Sequence, residues 1–133
     1  MSWDVVIFNL NKKVSSVEEI NEDVLIPIAS NSDFRKLITE NFPDVKWDGN
    51  CGIIERVNIY IELFIGDAEE DTFSNTIFFL RDSEASIFPV ITLCKKYGWQ
   101  LFDTSLEQMI DLDNPEKNGY AKYRSYVDMI TKK

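Results

Sequence analysis

Residues 53–65 read Ile-Ile-Glu-Arg-Val-Asn-Ile-Tyr-Ile-Glu-Leu-Phe-Ile, and their alternation decides the fold class of the chain. In an extended conformation, successive side chains point to opposite faces, so one face of this segment would be mainly apolar and the other mixed. We therefore predict a single strand over 53–65. Such a pair of faces is expected of a sheet that helices cover on one side. The predicted apolar face carries Ile53, Val57, Ile59, Ile61, Leu63 and Ile65, with Glu55 as its exception.

Weaker strand patterns lie on both sides of this segment. Residues 3–10 are rich in β-branched and aromatic side chains, and residues 76–80 are apolar enough for a central strand. Residues 45–47 lead into Asp48-Gly49, which favours a tight hairpin turn. The last two predicted strands are 99–102 and 108–112.

Three helices are predicted from apolar side chains at spacings of three and four. The first spans 31–42 and ends before Pro43, because the residue before a proline avoids the helical conformation. The second spans 86–97 and stops at Gly98, which suits the left-handed residue after a helix. The third starts near Asn114-Pro115, since a capping residue followed by proline is a common helix start.

The element order is therefore β-α-β-β-β-α-β-β-α, within one domain over residues 1–133. Most neighbouring strands can pair antiparallel, and clusters of strands stand between the helices. We predict an α+β fold with a single, mostly antiparallel sheet and helices packed mainly on one of its faces.

The chain contains no histidine, which excludes most side-chain catalysis. Ser-His-Asp and Cys-His catalysis and nearly every catalytic zinc site need that residue. The sequence also lacks the glycine-rich loops that bind phosphate groups. We therefore expect a non-enzymatic protein with no cofactor and no bound metal.

Cys51 and Cys94 are too few for a disulfide framework, and both are predicted to be buried free thiols. No apolar run approaches the roughly 20 residues that span a bilayer. The N-terminal residues lack the basic region and long apolar stretch of a secretory signal. These features favour a cytoplasmic location.

Carboxylates are the one class of catalytic side chain that the composition leaves open. Asp103, Asp111 and Asp113 flank the predicted hairpin of residues 99–112 and could lie close together. A small carboxylate-dependent enzyme is therefore an alternative function. It requires a carboxyl group with a raised pKa in a concave site.

Acidic residues are concentrated in two segments of a chain whose net charge is −9. Residues 14–34 and 57–80 each contain five acids and no lysine or arginine. A surface of this charge repels nucleic acids and anionic membranes, and it suits a basic protein partner. Trp47 is added to the predicted surface because an exposed tryptophan beside a tight turn is a candidate binding hot spot. The predicted partner-binding residues are Glu18, Glu19, Glu22, Asp23, Asp67, Glu69, Glu70, Asp71 and Trp47.

Two stretches of the sequence resemble a group of small uncharacterised bacterial proteins with the same length and segment order. The first is Met-Ser-Trp-Asp-Val-Val-Ile-Phe-Asn at residues 1–9. The second is Tyr-Gly-Trp-Gln-Leu-Phe-Asp-Thr at residues 97–104, which continues into residues 108–115. Small acidic α+β proteins of this kind often resemble immunity proteins, which neutralise a toxin made by the same or a neighbouring cell. The resemblance brings no catalytic residue with it.

The sequence thus leads to a protein-binding domain, with an immunity protein or stoichiometric inhibitor of a basic toxin as its specific form. The carboxylate-dependent enzyme is one alternative. A structural or regulatory subunit of a larger assembly is another, and it would expose a large apolar patch.

Overall fold

Within residues 2–131, which the computed structural model describes, seven strands form one antiparallel sheet and two short strands form a separate ribbon. The strands are β1 (Trp3–Phe8), β2 (Ala29–Ser30), β3 (Lys46–Asp48), β4 (Cys51–Arg56), β5 (Ile59–Phe64), β6 (Thr72–Phe73), β7 (Asn75–Arg81), β8 (Gln100–Asp103) and β9 (Gln108–Met109). The helices are α1 (Asn31–Asn41), α2 (Ile87–Tyr97) and α3 (Tyr120–Thr131). The sheet order is β3-β4-β5-β7-β1-β8-β9, and β2 pairs with β6. The predicted α+β class is confirmed.

The prediction of one strand over 53–65 is wrong, because the chain reverses at Val57-Asn58. Asn58 has a φ of 62°, a left-handed conformation that asparagine tolerates better than most residues. The reversal pairs β4 with β5 and sets Ile54 opposite Ile61, and both side chains are fully buried. Val57, predicted to lie on the apolar face, is instead 89% exposed at the tip of the turn.

The predicted start of the third helix near Asn114-Pro115 is also wrong. That segment forms a turn in which the Lys117 N–H donates to the Asn114 carbonyl. Helix α3 begins at Tyr120, whose N–H donates to the Asn118 side chain at 2.9 Å. The capping oxygen comes from Asn118, whereas Asn114 was predicted to supply it.

One face of the sheet, the inner face, packs against the helices and forms the core. Phe34 and Ile38 of α1 and Val90 and Cys94 of α2 belong to the same buried cluster as the inner-face side chains. Helix α3 joins this face through Tyr120, whose ring centroid lies 5.6 Å from that of Trp3. The inner-face members of the cluster are Trp3, Val5, Ile7, Ile54, Ile61, Leu63, Phe78, Leu80 and Leu101.

We call the opposite side of the sheet the outer face; it is formed by the alternate side chains of the same strands. Its members include Asp4, Val6, Phe8, Lys46, Asp48, Cys51, Ile53, Glu55, Tyr60, Glu62, Phe64, Ile77, Phe79, Arg81 and Phe102. The core side chains of α1 and α2 belong to the cluster on the inner face. Residues 10–28 cover only one end, where Leu10, Val14 and Val24 form a small cluster with Phe8 and Met109.

The two cysteines are free and differ in burial. Cys94 is buried in the core as predicted, and burial raises the pKa of its thiol to about 12. Cys51 is only half buried, because it lies on the outer face. Partial burial, together with Glu62 and Asp48, raises the pKa of its thiol. No helix in the described part of the chain is long and apolar enough to cross a membrane.

Candidate functional site

The fold brings the two acidic segments to one end of the sheet. Phe8 at the end of β1 pairs with Asn75 at the start of β7, and antiparallel β5 ends on the same side. The connections over residues 9–28 and 65–74 therefore both leave from this side. We call residues 18–23 and 66–71 the acidic end.

The chain that follows the first acidic segment runs along the chain that follows the second. Ala29 pairs with Phe73 and Ser30 with Thr72 in the β2–β6 ribbon. The Ile28 N–H donates to the Phe73 carbonyl at 2.6 Å, and the Asn9 N–H donates to the Ser74 carbonyl at 3.0 Å. These backbone bonds join the two acidic segments into one structural unit.

Asn31, the first residue of α1, holds the loop of residues 66–71. Its side-chain oxygen accepts a hydrogen bond from the Gly66 N–H at 3.2 Å, and its amide donates to the Ala68 carbonyl at 2.8 Å. The backbone N–H groups of Asn31 and Ser32 donate to the carbonyls of Asp71 and Glu69. The first N–H groups of a helix have no partner within it, so the loop satisfies them. The loop is thereby fixed in place while its carboxylates stay exposed.

Residues 18–23 are ordered mainly through Glu19. Its carboxylate accepts hydrogen bonds from the N–H groups of Ser15 and Ser16 at 2.8 and 2.9 Å, and Ser16 caps the short 3-10 turn of residues 17–19 in return. These backbone bonds hold the pKa of Glu19 below its usual value. Glu19 therefore has a local structural role, whereas Glu18, Glu22 and Asp23 are exposed.

The carboxylates of the acidic end have no salt-bridge partner among residues 2–131. All eight predicted acidic side chains are exposed, and none forms an ion pair within residues 2–131. Asp67 accepts a hydrogen bond from the Asn50 amide, which adds no opposite charge. Like charges on a fixed scaffold produce a negative potential that a basic partner can relieve.

Trp47 lies in the hairpin whose turn adjoins the acidic end, but its ring is half buried. Its indole N–H donates to the Thr39 hydroxyl at 3.0 Å, and the Arg35 guanidinium lies 4.3 Å from its ring centroid. The ring also covers Gly52, where a Cβ atom would come within 2.7 Å of it. Much of the Trp47 surface is therefore occupied by contacts inside the protein.

The fold does not bring Asp103, Asp111 and Asp113 together into one site. Asp103 is fully buried, and its carboxylate accepts hydrogen bonds from the Trp3 indole and from the N–H groups of Ser105 and Gly119. Asp111 is exposed, and hydrogen bonds from Asn114 and Asp113 lower the pKa of its carboxyl group. Asp113 lies 3.4 Å from Lys95.

A cavity beside Asp111 and Asp113 does not assemble a catalytic carboxylate pair either. It measures about 720 Å³ and is lined by Asp111 and Asp113, with Lys12, Lys13 and Lys95 around them, but Asp103 is not part of its wall. No group of three or more potential metal ligands occurs in the described range of 2–131.

The outer face exposes apolar side chains that the sequence pattern did not predict. Phe64 is 52% exposed and Ile77 is 43% exposed, and the Phe64 ring meets that of Phe79 edge-on with centroids 5.7 Å apart. The sequence signal that could have revealed this face is the apolar alternation of residues 53–65. The single-strand interpretation of residues 53–65 assigned Ile53 and Ile59 to one face, whereas the hairpin puts them on opposite faces.

Comparison with protein-family models, with curated proteins and with solved structures found no match to this chain. A function is therefore inferred from the geometry of the chain's own residues.

We predict that Asn31→Ala releases the loop of residues 66–71. The substitution removes both side-chain bonds to the loop, so we expect a loss of about 1–3 kcal/mol in the free energy of unfolding. Hydrogen exchange should become faster at the Gly66 amide and along residues 66–71. Asn21→Ala, which changes an exposed asparagine in the other acidic segment, should leave that exchange unchanged. If exchange along residues 66–71 keeps its wild-type rate in Asn31→Ala, the Asn31 side chain does not hold the loop.

Proposed function

We propose that this chain is a non-enzymatic protein-binding domain whose partner is a basic protein. The observation that supports it best is the acidic end, with its exposed carboxylates on a hydrogen-bonded scaffold and no ion pair within residues 2–131. An immunity protein or stoichiometric inhibitor of a basic toxin is the specific form that the sequence resemblance implies.

Two physical effects favour such a partner. The net charge of −9 accelerates encounter with a basic surface, and this acceleration weakens as salt screens the charges. The hydrogen bonds of the Asn31 side chain fix the loop of residues 66–71 before binding, so little conformational entropy is lost when the partner docks. A fixed acidic surface therefore gives both a fast association and a defined orientation.

We predict that removing the charges of the acidic end slows association about tenfold or more at low salt. The test variant changes Asp67→Asn, Glu69→Gln, Glu70→Gln and Asp71→Asn. The tagged domain would first capture its partner from the native host at low and moderate salt. The retained protein would then be purified, and its association and dissociation rates measured with the wild-type domain and the variant.

The matched control removes four charges from exposed positions outside the acidic end: Glu40→Gln, Asp82→Asn, Glu107→Gln and Glu116→Gln. It changes the net charge equally, so a larger effect of the first variant locates the contact. Equal effects of the two variants would reduce the acidic end to a contributor to overall charge. Retention of no basic protein at either salt would refute the proposed function.

A subunit of a larger assembly is the second candidate function, because the outer face exposes apolar side chains such as Phe64 and Ile77. The two functions differ in what the capture experiment retains. An inhibitor yields one partner in a one-to-one complex whose formation depends on salt. A constitutive subunit yields several proteins that remain together at high salt.

A further inference from the structure

Large apolar side chains form a continuous patch at the centre of the outer face. Val6 is paired across strands with both Ile77 and Phe102, and Phe79 is paired with Asp4 and with Glu62. Phe64 extends the patch by its edge-on contact with Phe79. Exposed fractions of 52% for Phe64 and 43% for Ile77 are large for side chains of this kind in a sheet.

Phe64 and Ile77 of this patch are exposed, whereas Val6, Phe79 and Phe102 are half buried. The core clusters place α1 and α2 on the inner face, and α3 reaches the same face through Trp3. Residues 10–28 pack over Phe8 and Met109 at one end of the outer face. Phe64 and Ile77 are therefore the members of the patch that a partner can reach most fully.

The patch is continuous with the acidic end. Phe64 is the last residue of β5 and lies two positions before Gly66, where the acidic loop begins. A shallow cavity of about 310 Å³ lies between them and is lined by Phe64, Gly66, Thr72, Asn75 and other residues of the same corner. A partner that contacts the acidic loop therefore also meets the aromatic patch.

The charges on the outer face indicate which partner fits. Its carboxylates are those of Asp4, Asp48, Glu55 and Glu62, and its basic groups are those of Lys46 and Arg81. Glu62 is half buried between Ile53 and Phe79, accepts a hydrogen bond from the Tyr60 hydroxyl at 3.0 Å and forms no ion pair within residues 2–131. Because carboxylates outnumber basic groups on this face by four to two, two copies of the chain would repel each other on balance, whereas a basic partner would be attracted.

We propose that the outer face, centred on Phe64, Ile77 and Phe79, is the docking surface for the basic protein partner. The partner places apolar side chains on the aromatic patch and basic side chains beside Glu62 and the acidic loop. This arrangement of an apolar centre with a charged rim is the usual anatomy of a specific interface. The inference rests on the proposed function and adds the location of the contact.

Site-specific photocrosslinking in the native host tests the location even while the partner is unidentified. The photoreactive residue p-benzoylphenylalanine would replace Phe64 or Ile77 on the outer face. In the control it would replace Phe88 of α2, which is 43% exposed, like Ile77, but lies on the helical side of the molecule. We expect one adduct with the same basic protein from positions 64 and 77 and none from position 88.

Each other result of this experiment overturns the proposed location. An adduct of twice the chain mass would identify a second copy as the occupant. No adduct from positions 64 and 77, or equal adducts from position 88, would place the contact elsewhere. If the wild-type domain still retains a basic protein in those cases, the proposed function stands and only the outer face is refuted.

Affinity measurements with the crosslinked protein, once purified, give an independent test. Ile77→Thr keeps a β-branched side chain and the strand while removing apolar contact area. We expect it to weaken binding about tenfold or more, mainly through faster dissociation, as truncation of a central contact does. Phe88→Gln should leave the dissociation rate unchanged. Equal dissociation rates for Ile77→Thr and wild type would overturn the proposal.

Discussion

Replacing Asp103 with alanine should lower the free energy of unfolding by about 3 kcal/mol or more, because two buried donors and one partly buried donor would lose their acceptor at once. The Asp103 carboxylate accepts hydrogen bonds from the Trp3 indole at 3.0 Å, the Ser105 N–H at 2.9 Å and the Gly119 N–H at 2.6 Å. Trp3 opens the first strand, and Gly119 directly precedes α3. One buried side chain therefore joins the two ends of the described chain.

The Gly119 backbone packs closely against the Asp103 carboxylate. A Cβ atom on Gly119 would come within 2.8 Å of both carboxylate oxygens, so the backbone approaches the carboxylate as closely as glycine permits. Asp103→Asn keeps the size of the side chain but turns one acceptor into a donor that faces other donors. We expect its cost to be about 2 kcal/mol.

Urea unfolding of both Asp103 variants measures the effect. Both substitutions should also speed hydrogen exchange in α3, because they release the Gly119 N–H from its acceptor. Asp111→Ala is the control, because Asp111 is exposed and makes only local bonds, and its cost should stay below about 1 kcal/mol. A cost below about 1 kcal/mol for Asp103→Ala as well would mean that the buried bonds contribute little.

The role of Asp103 could not be predicted from the sequence, because its partners are distant along the chain. Trp3 lies 100 positions away and Gly119 lies 16 positions away. In the sequence, Asp103 follows a short strand and precedes Thr104-Ser105, a pattern typical of an exposed turn. Only the pairing of β1 with β8 brings Asp103 to Trp3.

The fold class could be predicted because β1, β5 and β7 are rich in β-branched and aromatic residues, but the hairpin at Val57-Asn58 could not. The adjacent pair Ile53-Ile54 offers an apolar residue to either face, so the change of phase at the turn leaves no gap in the pattern. Arg56-Val57-Asn58 also contains neither glycine nor proline to mark a turn. The single-strand prediction concealed the outer face, because it assigned Ile53 and Ile59 to the same face of the sheet.

The composition of the acidic end could be predicted, whereas its assembly could not. Runs of Asp and Glu without lysine or arginine are visible in the sequence. The ribbon that joins them, β2 with β6, has two residues in each strand and is too short to show any periodicity. The hydrogen bonds that fix the loop of residues 66–71 come from Asn31, which looks like an ordinary helix-start residue in the sequence.

Stability and binding should separate when Phe34 of α1, on the inner side of the sheet, and Phe64 of β5, on its outer face, are truncated. Phe34→Ala should cost about 3–5 kcal/mol, since its ring is fully buried and leaves a cavity. The ring contacts that of Phe73 edge-on at 5.0 Å and lies 6.3 Å from Trp99. Phe73 belongs to the ribbon that follows the acidic loop, so the cavity should also speed hydrogen exchange there.

Phe64→Ala is the matched change on the outer face. It should weaken partner binding while lowering the free energy of unfolding only slightly. Its ring is 52% exposed and loses mainly the edge-on contact with Phe79, so the cost in unfolding free energy should be about 1 kcal/mol. Partner binding should weaken instead. Denaturant unfolding and dissociation rates of both variants measure the separation. Because each variant removes the same atoms, a similar loss of stability in both would mean that Phe64 belongs to the core, and the outer face would then lose its support as a docking surface.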